Sequence, residues 1–215
     1  MKKLFFTKKS AIAILLVTFL SVFTFCGASH ASIAIDFTGT TIDWNDGYNY
    51  SMGWSFTPTQ DINVSALGVY AAPDFTTGER IFTETHEVGI YDSNGQLLAF
   101  TTVSNSDALE GFFRYSSLST LVTLEEGKTY YVIAAMGADQ YTWDPEGFSV
   151  SSLITFGDSY YIESSSLAFP TDSDPGTIGY FGANMKISPV PIPGAIWLVG
   201  SSLPTIGVLR RRFRG

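Results

Sequence analysis

The chain has 215 residues, 45% of them hydrophobic, enough for one domain with a sizeable core. Its formal charge of -8 conceals a partition, because four of the 12 Lys and Arg residues lie in the first nine positions and four in the last six, whereas all 20 Asp and Glu lie between Asp36 and Asp174. Four basic residues less 20 acidic ones leave the middle at -16, a surface that repels phosphate backbones and argues against nucleic-acid binding.

In chain order, Lys2, Lys3, Lys8 and Lys9 precede an apolar run from Ala11 to Phe25, and Ser29 and Ala31 put small residues at the -3 and -1 positions of a cleavage site. These are the three parts of a signal peptide, residues 1–31, with signal peptidase cutting before Ser32. The single cysteine, Cys26, falls inside this leader, so the mature chain is expected to contain no disulfide and no Cys-based metal site. Lipid attachment at Cys26 is disfavoured, since Phe25 stands where lipoprotein signals have a small residue.

The middle, residues 32–188, reads as strands. Tyr50, Met52, Trp54 and Phe56 alternate with smaller residues, the period-two pattern of a half-buried strand, and Pro58 closes it. A second strand runs from Ile62 to about Tyr70. Thr85 to Tyr91 and Leu97 to Val103 form a hairpin across Asn94-Gly95, a pair that adopts the positive φ angles of a tight turn. Phe112 to Tyr115, Leu121 to Leu124 and Thr129 to Ala135 continue the series, and Phe181, Ala183, Met185 and Ile187 alternate again near its end. With no helical period in this middle region, its fold class is all-β: one extracytoplasmic β-sandwich, with a jelly-roll-like topology preferred.

Three segments carry a resemblance to an uncharacterised β-sandwich module of secreted bacterial proteins. They are Gly53 to Thr57 through Leu67-Gly68-Val69-Tyr70, His86 to Ala99, and Leu124 to Gly127 through Tyr130 to Val132. The resemblance covers roughly Tyr50 to Trp143 and implies a sandwich fold with no established activity.

Beyond residue 188, Gly194 to Leu209 is uncharged and mostly apolar and would rise about 24 Å as a helix, slightly less than a hydrocarbon core. Arg210, Arg211, Arg212 and Arg214 follow, and such a basic end stays cytoplasmic while the domain lies outside. The order of Val190-Pro191-Ile192-Pro193, apolar span and arginines resembles the PEP-CTERM sorting signal of exopolysaccharide-exporting bacteria. Membership would make residues 189–215 a transient membrane anchor, removed by a membrane-embedded exosortase that recognises the Val-Pro-x-Pro element. Ile192 departs from the glutamate of the name-giving motif.

Candidate chemistry in the middle is sparse. His86 is the single histidine outside the leader and reads as a partly exposed strand residue; with no nucleophile elbow and no second histidine, the chain is expected to be non-enzymatic. Calcium could use the carboxylates of Asp43 and Asp46 or of Asp172 and Asp174, in the densest oxygen clusters, although both stretches are also ordinary turn sequences. Trp44, Tyr48, Tyr141 and Trp143, in or beside predicted loops, could present flat faces to a glycan such as exopolysaccharide. Two readings stay open: a non-enzymatic cell-surface or exopolysaccharide-matrix protein, and a glycan- or calcium-binding module.

Overall fold

Alternation of bulky and small residues turns more than half of the middle of the chain into strands. The structure, a computed structural model, describes residues 31–39, 42–175 and 179–191. The leader, Ile192, Pro193, the apolar run and the closing arginines lie outside the described residues. In chain order the strands are β1 (Ser32–Ile33), β2 (Ile35–Asp36), β3 (Ile42–Trp44), β4 (Tyr50–Pro58) and β5 (Ile62–Tyr70). There follow β6 (His86–Asp92), β7 (Leu97–Val103), β8 (Ala108–Glu110), β9 (Phe113–Leu124) and β10 (Tyr130–Ala135). The last are β11 (Tyr141–Trp143), β12 (Ser149–Val150), β13 (Ile154–Glu163), β14 (Asp172–Asp174) and β15 (Ala183–Pro189). Among the described residues, no helix is long and apolar enough to cross a membrane.

Two antiparallel sheets pack as a sandwich, one in the order β1-β15-β5-β9-β8 and the other β14-β13-β4-β10-β6-β7. Two short ladders, β11 with β3 and β12 with β2, lie outside them. The alternation in β4 sends Met52, Trp54 and Phe56 into the core, where each is at most 1% exposed. From the facing sheet, Ile62, Val64, Leu67 and Val69 of β5 and Ala183, Met185 and Ile187 of β15 complete the core. The Trp54 indole N–H donates to the Ala183 carbonyl at 2.8 Å, so a side chain of one sheet is bonded to the backbone of the other.

The other face of β4 is also covered, by the segment that follows β13. Ser51 Oγ donates to the Ala168 carbonyl and accepts from the Ala168 N–H. Phe169 packs on Tyr91 and Tyr131 at ring distances of 5.5 and 5.1 Å. Small residues on that side, Ser51 against Ala168 and Gly89 against Leu167, leave room for the strap, while Gly53 admits the close approach of the β10 backbone at Val132.

Irregularities mark where the strand reading of the sequence and the structure part. β13 is a full strand paired along β4, yet its register slips between Phe156 and Ser159, which breaks its alternation at Gly157-Asp158. β9 runs unbroken from Phe113 to Leu124, joining two segments that read as separate strands. Its pairing to β5 jumps from Ser117 to Val122, and the residues between bulge outward, leaving Leu121 58% exposed.

Replacing Trp54 with Phe keeps an aromatic ring but removes the inter-sheet hydrogen bond and part of the buried volume. The expected loss is about 2 kcal/mol of unfolding free energy, read as a lower urea midpoint with an unchanged slope.

Candidate functional site

The ladder of β3 and β11 sets Tyr141 opposite Trp44, Thr142 opposite Asp43 and Trp143 opposite Ile42. Directly opposed residues project from the same face of an antiparallel pair, so Ile42, Trp44, Tyr141 and Trp143 share one face and Asp43 and Thr142 the other. The inner face is occupied: Thr142 is fully buried, and Asp43 accepts a hydrogen bond from the Tyr70 hydroxyl, which itself accepts one from Arg80. On the outer face Trp44 is 50% and Trp143 38% exposed, while Tyr141 is buried.

Three further tyrosines close a ring with Tyr141. Tyr50 meets Tyr141 at 6.4 Å and Tyr161 at 6.1 Å, and Tyr180 meets the same two at 5.9 and 5.3 Å. Sheet register produces half of this: Tyr161 of β13 stands opposite Met52 of β4, on the face that also carries Tyr50, two residues earlier. Tyr180 arrives on a backbone in the left-handed region, φ 60°, with its neighbour Phe181 bonded to the Thr142 carbonyl at 2.8 Å. Asp144, which follows Trp143, has φ 47°. These two are the positive-φ residues other than glycine among the described residues, and both adjoin this face. Such a conformation costs on the order of 1 kcal/mol for a residue with a Cβ and persists where the surroundings dictate it.

The tyrosine ring, Trp44 and Asp46 enclose a recess of about 260 Å³ with buried Met52 beneath them. It adjoins a second recess of about 360 Å³ that shares Trp44, Tyr141 and Tyr180 and reaches Trp143 and Asp174. The tyrosine hydroxyls point to carboxylates: Tyr50 donates to Asp46 at 2.8 Å and Tyr180 to Asp174 at 3.1 Å. Burial and then the Asp46 carboxylate push the Tyr50 hydroxyl up to about 12. Burial, followed by Asp46, likewise raises Tyr141, and burial with the Asp174 bond raises Tyr180. The hydroxyls therefore remain protonated donors throughout the neutral range.

Three of the four aromatic residues singled out in the sequence, Trp44, Tyr141 and Trp143, thus meet in one place. Tyr48 does not line either recess; it stands 56% exposed on the turn, its N–H bonded to Asp46. Tyr50, Tyr161 and Tyr180 join the site without any local signal, because register and long-range packing assemble them.

The four candidate calcium carboxylates are dispersed among other partners. Asp43 is held by Tyr70, Asp46 by the Tyr48 N–H and the Tyr50 hydroxyl, Asp174 by Tyr180, and Asp172 by the Thr171 hydroxyl. Among the described residues, no three of His, Cys, Asp or Glu come together as a metal-ligand group.

His86 is corrected from a partly exposed residue to one that is 1% exposed. It starts β6 at the rim of the core, where the loop after β10 folds over it. Its Nδ1 lies 2.8 Å from the Ala135 carbonyl and its Nε2 2.7 Å from Asp139, so both ring nitrogens are engaged. Asp139 also accepts from the N–H groups of Thr83 and Glu84, which makes it the pin that ties that loop to the approach to β6. Burial alone would raise the Asp139 carboxyl, but the bonds from His86 and Thr83 outweigh it and hold it below its ordinary value.

Taken together, the fold and its recess define an antiparallel β-sandwich with an aromatic, carboxylate-edged cleft. The chain belongs to a family described as a domain of unknown function, DUF4082, whose match covers residues 37–181. Among curated proteins, none matches it.

Asp139→Ala leaves His86 and two backbone donors without their acceptor and should cost about 3 kcal/mol at neutral pH by urea unfolding. A carboxyl depressed in the folded state contributes stability above its unfolded value of 3.8, and that contribution disappears as pH falls through the lower folded value. The gap between parent and variant should accordingly narrow below about pH 4.

Proposed function

We propose that this chain is an exported, non-enzymatic cell-surface or exopolysaccharide-matrix protein whose sandwich binds glycan through the aromatic recess. The meeting of Trp44 and Trp143 with the closed ring of tyrosines carries the binding reading. Flat aromatic faces stack on the apolar faces of sugar rings, while hydroxyls and carboxylates at the edge bond to the sugar hydroxyls. Half-exposed tryptophans beside a recess are costly to leave in water, and a ligand that covers them offsets that cost.

The export reading rests on the sequence of the two ends, a leader cut before Ser32 and a PEP-CTERM-type tail cut by an exosortase. One feature of the described residues supports it. β15 ends at Pro189, the Val190 N–H donates to the Asp61 carbonyl at 3.0 Å, and the sorting motif begins there. The motif therefore starts where the described ladder stops, and Pro191, with no N–H, has no donor to offer a neighbouring strand.

Titrating the full chain with exopolysaccharide or oligosaccharides by calorimetry tests the binding. Trp44→Ala and Trp143→Ala should each weaken it about tenfold, near 1.4 kcal/mol, and Tyr48→Ala should leave it unchanged. Equal affinity in all three variants would remove the recess from the reading.

Sorting has a separate test in the producing cell. The mature N-terminus should be Ser32, and changing Pro191 and Pro193 together to alanine should leave a full-length precursor in the membrane. Deleting residues 210–214 should instead release unprocessed protein, since the arginines act as a stop. A proline variant processed and released like the parent would overturn the sorting-signal reading of Val190 to Pro193.

A further inference from the structure

We infer that the tyrosine ring is a receptor for a cation, and that the sugar it selects carries a free amino group: the ligand class is an amino-sugar polymer whose ammonium enters the recess. This rests on the glycan reading and narrows it.

Five of the seven residues that line the recess are aromatic, Trp44 and four tyrosines whose neighbouring rings are 5.3–6.4 Å apart, and Asp46 and Met52 complete it. Aromatic cages of this kind attract ammonium groups through the ring quadrupole, most strongly where water is displaced. Carboxylates then supply the counter-charge. Asp46 lines the recess and Asp174 lines its neighbour.

No basic residue competes for these acids. The domain has four, and each is committed elsewhere among the described residues. Arg80 lies over the Phe112 ring at 4.4 Å and bonds the Ala71 carbonyl. Arg114 bonds the carbonyls of Arg80, Asn105 and Asp107. Lys128 pairs with Glu125, and Lys186 pairs with Glu110 over the Tyr115 ring.

Hydrogen-bonding capacity points the same way. The hydroxyls of Tyr50 and Tyr180 spend their protons on Asp46 and Asp174, so they offer an incoming group only lone pairs, and the carboxylates are acceptors throughout. An ammonium has three donors and no acceptor and fits that inventory, whereas a uronate, sulfate or phosphate would meet negative charge and no free charged donor. The net charge of -16 on residues 32–188 adds long-range attraction for a polycationic chain and repulsion for a polyanionic one.

The test titrates the full chain with four tetrasaccharides of matched linkage: glucosamine, N-acetylglucosamine, glucose and glucuronate. The glucosamine tetramer should bind about tenfold more tightly than the N-acetylated and neutral ones, and the glucuronate tetramer most weakly. Asp46→Asn, a change on an exposed turn, should abolish the preference for glucosamine, so that within the variant glucosamine and glucose bind alike; Asp174→Asn provides the same comparison at the second recess. Neutral or N-acetylated tetramers that match glucosamine in the parent protein would overturn the cation inference and leave glycan binding standing. A glucosamine preference that survives both substitutions would overturn it as well. If none of the four tetramers binds at millimolar concentration, the glycan reading fails and this inference fails with it.

Discussion

The hydrogen bond from the Trp54 indole to the Ala183 carbonyl sets how the two sheets face each other, and the recess depends on that spacing. Trp54 packs against Phe156 at 5.5 Å, Phe156 against Phe148 at 5.3 Å and Phe181 at 5.9 Å, and Phe181 against Phe37 at 5.3 Å. Phe181 in turn bridges to Thr142, the middle residue of β11. A continuous aromatic array thus runs from the inter-sheet bond to the ladder that carries Tyr141 and Trp143. Each fully buried ring contributes roughly 2–3 kcal/mol through the area it removes from water, so the position of the outer ladder is enforced by the core and not by its own three residue pairs.

Strain and charge converge where this array reaches solvent. Tyr180 accepts an unfavourable backbone conformation one residue before Phe181, whose ring is locked in the core. That leaves the Tyr180 ring aimed at Tyr141 and Tyr161. The tyrosine rings are then held by packing, and preorganised groups lose less freedom when a ligand arrives. A conformation that is costly for the fold is in this way retained at the position where it shapes the recess.

Much of the sandwich was legible because its strands obey simple alternation. Ile62–Tyr70 and Leu97–Val103 begin and end where the pattern does, and Gly95, φ 78°, occupies the turn that Asn94-Gly95 foretells. β13 was illegible because two residues of bulge between Phe156 and Ser159 interrupt the very periodicity that identifies a strand. β2, β3, β11 and β12 have only two or three residues each, too few to display a period. Of the recess, Trp44, Tyr141 and Trp143 could be named from their loop-like surroundings, but Tyr50 looked like one more core residue of β4, and Tyr161 and Tyr180 lay outside every recognised strand. His86 misled for the same reason: Asp139, its partner, stands 53 residues away, and sequence carries no mark of that distance.

The strand order of the first sheet has a consequence for the order of folding. β5 is flanked by β9 on one side and by β15 on the other, and β15 is the last strand among the described residues. β1 pairs with β15 as well, Ser32 opposite Ile187, across nearly the whole domain. A chain that emerges from its N-terminus can assemble the hairpins of both sheets early, but the edge of β5, with Ile62, Val64 and Leu67, stays open until residues 183–189 appear. Closure is therefore a late, long-range event, and the interval before it exposes an apolar edge to neighbouring copies of the same chain. A segment that holds the C-terminal end at a surface during that interval would keep half-assembled domains apart while their last strand slots into place.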